Sequence, residues 1–322
     1  MRSKKVLGYL REVFGPVVVE DYGVFSHCQA SRFKTERENF FLKDIESKSL
    51  TKGEDCWLLA ETIASRVSHY AKLLVKAGLA IPDFHQVRAV RLNGEVAVLE
   101  IATFCGDDLT RVLGGCSLEK TTELVKVMLG KVAAIAFQDG LGIDPHPANW
   151  AMDHAGKLSY VDLWPAQYRC GDIDLVGFPQ PEDQKLAAYS RRRYYTLEGL
   201  LRILRFNLSR ISAHLEDVFF QCADNVVGAG IVGQVFSELP EQTVRSLLVT
   251  NETGKITGII EELGIWDVDD LREIAFRLVP DDPKRLTDLF YLTQMDFRLP
   301  LSEREQRLEQ FKRELIQIAR SR

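Results

Sequence analysis

The chain has 322 residues, 46% hydrophobic and 27% charged, with a formal net charge of −5; that composition excludes a disordered or fibrous chain and leaves room for two lobes. The acidic balance argues against general nucleic-acid binding, which concentrates Lys and Arg on one face, and no window reads as the roughly 18 apolar residues of a membrane span. The six cysteines are scattered without a C-x-x-C pair, and charges interrupt the N-terminus where a signal sequence is apolar, so a reducing, cytoplasmic setting is expected.

Residues 3–14 put Val6, Leu7, Leu10, Val13 and Phe14 at helical spacing and stop at Gly15-Pro16, which predicts a short brace helix. The pattern then turns to strands: Val17–Val19, Val24–Phe33 and Asn39–Ile45, with Lys34–Glu38 as a turn. Lys43 lies inside the third of these. After a polar linker, residues 56–77 repeat Leu59, Ile63, Val67, Tyr70 and Leu74 as a helix stripe, with Glu61 off that face. Val87–Leu92 and Val96–Thr103 flank Asn93-Gly94, a strong hairpin signal. The sum is a five-stranded antiparallel sheet with a helix packed behind it.

A second helix stripe runs from Leu118 to Phe137 and ends at Gly140 and Gly142. In Asp144-Pro-His-Pro-Ala-Asn149, each proline lacks an N–H and biases its predecessor toward extended geometry. The loop is therefore stiff and keeps Asp144 and Asn149 at a fixed separation. Trp150–Met152 and Lys157–Val161 read as a hairpin turning at Asp153–Gly156, which returns Asp162 beside Asn149. Magnesium takes oxygen ligands, commonly one or two protein groups plus nucleotide phosphates, and Asn149 and Asp162 are suited to it. Phosphoryl transfer also needs a carboxylate near the attacking hydroxyl, and Asp144 suits that role.

The sequence D-P-H-P-A-N over 144–149, followed by Y-V-D ending at Asp162, resembles the catalytic loop and metal-binding Asp of the protein-kinase-like superfamily. The closest forms are the aminoglycoside-phosphotransferase family and the UbiB-type atypical kinases. The resemblance implies an α+β, two-lobed fold, with residues 1–104 as an antiparallel-sheet lobe and 105–322 as a mostly helical lobe. It implies ATP and Mg2+ as cofactors, Asp144 as the catalytic or acceptor-orienting carboxylate, and Asn149 and Asp162 as metal ligands. F-F-L-K ending at Lys43 resembles the strand lysine that holds nucleotide phosphates. Glu61 is then the candidate partner of Lys43, with Glu54 as fallback. An outward edge-strand lysine and a solvated helix Glu are the bland alternatives. The phosphate loop falls near Gly23 and Ser26, although only Gly23 of the glycine pattern remains. Glu100 to Ala102 take the place of the hinge whose backbone reads adenine, and Asp108 that of the residue approaching ribose.

Asp162-Leu-Trp-Pro keeps the Asp but loses the glycine of the kinase motif, and Gly142 stands where the loop usually carries His. Asp174 matches either the Asp that supports the catalytic loop in aminoglycoside kinases or an ordinary helix start. Arg191-Arg192-Arg193 points three ways on a helix and reads as a solvated face. Residues 197–219, 242–249, 255–263, 268–279 and 284–293 read as helices, and Ser302-x-x-Glu305 as the capping box of the last one. Gly228-x-Gly230-x-x-Gly233, with Glu252 beyond, matches a dinucleotide fingerprint in letters only, since no strand of useful length precedes it; close helix packing or a turn explains those glycines better. A metal hydrolase on Asp144, His146 and His154 is disfavoured by the prolines that lock His146. The expected function is an ATP- and Mg-dependent phosphotransferase acting on a small-molecule hydroxyl, the alternative a nucleotide-binding pseudokinase or scaffold.

Overall fold

The computed structural model describes residues 2–25, 28–45, 55–92, 94–170, 173–174, 184–237, 253–263, 268–279, 281–293 and 299–321. It is an α+β chain with a small antiparallel sheet and a helical region, compatible with a two-lobed fold. Two compact units divide it: residues 1–115 with 134–179, and residues 116–133 with 180–322. The sequence boundary at 104 differs from this division, because the loop and hairpin at 144–162 associate with the sheet rather than with the later helices.

In the first unit, α1 (Arg2–Phe14) precedes β1 (Val18–Phe25), β2 (Cys28–Lys34) and β3 (Asn39–Ile45). Then come α2 (Asp55–Lys76), β4 (His85–Leu92) and β5 (Glu95–Thr103). The five strands are ordered β1-β2-β3-β5-β4, all neighbours antiparallel. β1 runs on to Phe25 and β2 begins at Cys28, so the expected strand Val24–Phe33 is divided between the two.

Alternation gives the sheet two different faces. Val6 and Leu10 of α1 cover Phe33, Phe40, Leu42, Val90, Ala97, Leu99 and Ile101 on one of them. Phe14 extends this layer, its ring 5.3 Å from those of Phe33 and Phe40. Residues of the opposite parity, Lys43, Val98, Glu100 and Ala102, belong to the other face. The helix α2 packs on β4 and β5 and buries Ala60, Ile63, Val67, Tyr70 and Leu74 at helical spacing.

After β5 the chain forms β6 (Asp107–Asp108) and α3 (Leu109–Gly115). Gly106 makes this passage possible. Its φ of +95° is open chiefly to glycine, and a Cβ there would fall onto the carbonyl of Met152. That close approach lets β6 pair with β7 (Trp150–Met152), which pairs in turn with β8 (Leu158–Tyr160). Asp153 Oδ1 accepts the N–H groups of Ala155 and Lys157, both at 2.9 Å, closing the predicted turn. Two short strands follow, β9 (Arg169–Cys170) and β10 (Ile173–Asp174).

The second unit takes most of α4 (Leu118–Ala136), then α5 (Gln184–Tyr195), α6 (Leu197–Ile211), α7 (Ala213–Ala223) and α8 (Ala229–Ser237). It continues with α9 (Thr253–Glu262), α10 (Val268–Leu278), α11 (Pro283–Leu292) and α12 (Leu301–Ser321). Leu308, Phe311, Leu315 and Ile318 of α12 build one core with Ile260, Leu271, Ile274 and Leu289. The predicted helix 197–219 is broken at Ser212, whose extended backbone ends α6 and starts α7. Ser302 does not cap α12: that helix begins at Leu301, and the Pro300 carbonyl accepts from Arg304 at 3.1 Å. The predicted helix 242–249 lies outside the described residues.

A π turn, Asp224–Gly228, joins α7 to α8. Gly228 ends this turn at a φ of +97°, which favours glycine, while Gly230 and Gly233 lie in α8; a Cβ at any of the three would meet nothing within 4 Å, so the turn reading holds at Gly228 and close packing at none of them. By length and composition alone, the joined run His214–Phe236 is long and apolar enough to cross a membrane. Core helices pass the same test. Leu215, Val218, Phe219, Cys222, Val232 and Phe236 of this run are buried within the protein, and Glu216 pairs with Arg205 at 2.8 Å.

Candidate active site

Three stretches remote in sequence meet on the sheet face away from α1. Lys43 Nζ donates to Asp162 Oδ1 at 2.9 Å and to the Val161 carbonyl at 3.3 Å, across 119 and 118 residues respectively. β3 presents Lys43 because the strand pleat sends Phe40 and Leu42 to the apolar core and Lys43 to the other side. The lysine is 8% exposed. It is therefore not the outward edge-strand residue of the bland alternative.

The loop that carries Asp144 is held from several directions. Asn149 Nδ2 donates to the Asp144 carbonyl at 3.1 Å, and His146 N donates to Asp144 Oδ1 at 3.2 Å. Val161 N donates to the Asn149 carbonyl at 2.9 Å, which sets Asp162 beside Asn149. From α2, Tyr70 donates its hydroxyl to the Gly142 carbonyl at 2.8 Å. Tyr160, 1% exposed, accepts from Asp144 N at 3.2 Å and donates back to the Asp144 carbonyl at 3.4 Å. Burial, with help from the charges of Asp162 and Asp144, raises the Tyr160 hydroxyl well above its ordinary range. It stays a neutral phenol able to do both.

The electrostatics of the carboxylates differ. Burial raises the pKa of Asp162, and nearby Asp144 and Glu100 add to that, while Lys43 pulls the other way without cancelling it. A quarter of the Asp162 side chain still meets solvent. Glu100 is buried more deeply, at 3% exposure. Burial alone would raise its pKa, but Lys43 and a hydrogen bond from His85 hold the group below its ordinary value.

The donor set fits magnesium. Asp162 supplies a carboxylate and Asn149 an amide oxygen, both hard oxygen donors, and the Asn149 amide nitrogen is already turned to the Asp144 carbonyl. The hydrolase alternative gains no support: His146 Nδ1 is taken up by Ala148 N at 3.0 Å, and among the described residues no group of three His, Cys, Asp or Glu side chains converges on a point.

Several predicted residues stand elsewhere. Glu61 is exposed on α2; among the described residues, Lys43 pairs instead with Asp162 at 2.9 Å and Glu100 at 3.9 Å. Glu54 and Ser26 lie outside the described residues. Gly23 is within β1, where the register shifts between Asp21 and Gly23. Glu100 and Ala102 lie in β5, which has β3 on one side and β4 on the other, so their backbone groups serve the sheet ladder and are not free to read a base edge. Asp108 caps α3, with Oδ1 accepting from Thr110 N at 3.0 Å. Tyr70, Tyr160 and His85 were missed. Tyr160 could have been noticed, since it is the aromatic in the last strand of the predicted hairpin, two residues before Asp162.

Compared with family models and with curated proteins, the chain finds no match.

Proposed function

We propose that this protein transfers the γ-phosphoryl group of ATP, with magnesium, to a hydroxyl of a small-molecule acceptor, as the resemblance to protein-kinase-like enzymes implies. The observation that carries the reading is the 2.9 Å contact of Lys43 with Asp162 across 119 residues of chain. A buried lysine, an Asn–Asp oxygen pair and a carboxylate on a stiff loop are the parts phosphoryl transfer needs. In this reading Lys43 binds phosphate oxygens, and Asn149 and Asp162 hold magnesium, which when bound neutralises charge on the transferring group. Asp144 orients the acceptor hydroxyl and takes its proton as the acceptor oxygen bonds to the γ-phosphorus and the bridge to the β-phosphate breaks, releasing ADP.

Calorimetry with Mg-ATP tests this directly. The wild type is expected to bind nucleotide in a magnesium-dependent way, and Asp162→Ala to lose that dependence while keeping its fold by circular dichroism. Unchanged magnesium dependence in Asp162→Ala removes the residue from the site. Binding by the wild type without transfer to any hydroxyl acceptor or to water leaves a nucleotide-binding protein without kinase activity.

A further inference from the structure

The sheet face that carries Lys43 holds a second charge relationship, unused in the reaction above. Lys43 on β3 and Glu100 on β5 are direct cross-strand partners. Glu100 also opposes Val87 on β4, which leaves His85 one diagonal step away. His85 Nε2 is 3.2 Å from Glu100 Oε1, and Glu100 Oε2 lies 3.9 Å from Lys43 Nζ. All three side chains are less than 10% exposed: 9% for Lys43, 4% for Glu100 and 7% for His85. Glu100 Oε2 is buried without a hydrogen bond.

A carboxylate this deep is unfavourable unless a nearby charge compensates it, and an apolar side chain would stabilise a sheet interior as well or better. Its physical effect here is on the ammonium group. With Asp162 on one side and Glu100 on the other, the Lys43 ammonium is drawn toward both, and the reach of the lysine stem is fixed between them. β3, β5 and β4 are consecutive in one hydrogen-bonded sheet, so the spacing between Lys43, Glu100 and His85 is set by the ladder.

We propose that Glu100, braced by His85, is the positioning carboxylate for Lys43, in the role the sequence assigned to Glu61 on α2. The proposal rests on the reading of Lys43 as the phosphate-binding lysine. One consequence separates it from an arrangement built on a helix. A carboxylate on α2 could be withdrawn by moving that helix, whereas a carboxylate on the neighbouring strand cannot leave without breaking the sheet. Lys43 is therefore aligned whenever the sheet is folded.

Two measurements test it. The first needs no nucleotide: urea midpoints are compared for wild type, Lys43→Met, Glu100→Gln and the double variant. Glu100→Gln is expected to lower the midpoint when Lys43 is present. In the Lys43→Met background it should raise it or leave it unmoved, because the substitution then relieves a buried charge that has lost its partner. The same shift in both backgrounds overturns the proposal.

The second measurement is nucleotide binding and steady-state kinetics. Glu100→Gln and His85→Phe are expected to raise KM and Kd for Mg-ATP about ten-fold, the effect of one charge-assisted contact, with KM for the acceptor unchanged. Glu61→Gln should stay within about two-fold of wild type. Loss of affinity in Glu61→Gln, with Glu100→Gln like wild type, overturns the proposal. Should Glu100→Gln not fold, Glu100→Asp keeps the charge and shortens its reach; nucleotide affinity weaker by at least about three-fold supports the assignment, and wild-type affinity overturns it. If the wild type binds no nucleotide, the phosphotransferase reading fails, and the urea comparison alone decides whether Glu100 holds Lys43.

Discussion

Tyr160→Phe removes one oxygen from the buried centre of the first unit and nothing else. That hydroxyl makes two contacts with one residue, accepting from Asp144 N at 3.2 Å and donating to the Asp144 carbonyl at 3.4 Å. The carbonyl keeps a second donor, Asn149 Nδ2 at 3.1 Å, so it remains satisfied. The amide has no such substitute in the loop. A hydrogen bond of this kind contributes a net ~1 kcal/mol, and a donor left unpaired costs ~1–3 kcal/mol, so with partial solvent access the loss is about 2 kcal/mol. At 1.4 kcal/mol per factor of ten, this corresponds to roughly 30-fold easier local opening. Amide hydrogen exchange measured at Asp144 is expected to accelerate by that factor, while amides in β3 and β5 that exchange through local openings not involving the loop keep their wild-type rates. Urea unfolding should register a similar loss. Exchange at Asp144 within about three-fold of wild type, together with an unchanged urea midpoint, would refute the view that Tyr160 holds this loop.

Asp144→Asn keeps the shape and removes the charge, so on the proposed reaction nucleotide affinity by calorimetry stays near normal while turnover falls at least about 10²-fold. Lys43→Met should instead weaken Mg-ATP binding as well as slow the reaction. Gly106→Ala places a Cβ against the Met152 carbonyl at a φ of +95°; a stability loss above about 2 kcal/mol in urea unfolding is expected, and a loss below about 0.5 kcal/mol would show that the β6–β7 crossing tolerates a side chain. Glu100 titrates below its ordinary 4.5, so the folded protein binds that proton less tightly than the unfolded chain. Its contribution is therefore complete above that value and lost as pH falls through the depressed pKa. The stability difference between wild type and Glu100→Gln should shrink on acidification from pH ~5 downward, and a difference that grows instead would reverse the sign assigned here.

The local parts of this architecture were readable from the chain because each depends on short-range rules. The prolines of Asp144–Asn149, the Asn93-Gly94 turn and the stripe Ile63, Val67, Tyr70, Leu74 all declare themselves within a few residues. The turn even fixes the β4–β5 register, in which Leu92 faces Glu95 and Val87 faces Glu100. What stayed hidden is the pairing of β3 with β5, which sets Lys43 opposite Glu100. Those strands are separated by α2 and β4, and nothing in either states their relative register. Sequence alone therefore points to a helix carboxylate for Lys43, whereas Glu61 is exposed in the structure. The helical unit was misread at Ser212 for a related reason: periodicity runs straight through an interruption that only backbone geometry reveals.

The 119 residues between Lys43 and Asp162 also set an order of events while the protein is being made. At roughly 5–20 residues per second, about 6–24 s separate the synthesis of the lysine from that of its loop partner. Glu100 arrives in between, on the strand that completes the sheet beside β3. During that interval the ammonium can meet the carboxylate of its own sheet but has no Asp162 to meet. The discontinuous first unit, residues 1–115 with 134–179, can close only after the hairpin has left the ribosome and closed the long loop between them, the slowest kind of contact for a chain to form. For a nascent chain, the cross-strand pair is the earlier of the two anchors, and the candidate site is completed only once the hairpin has brought Asp162 to it.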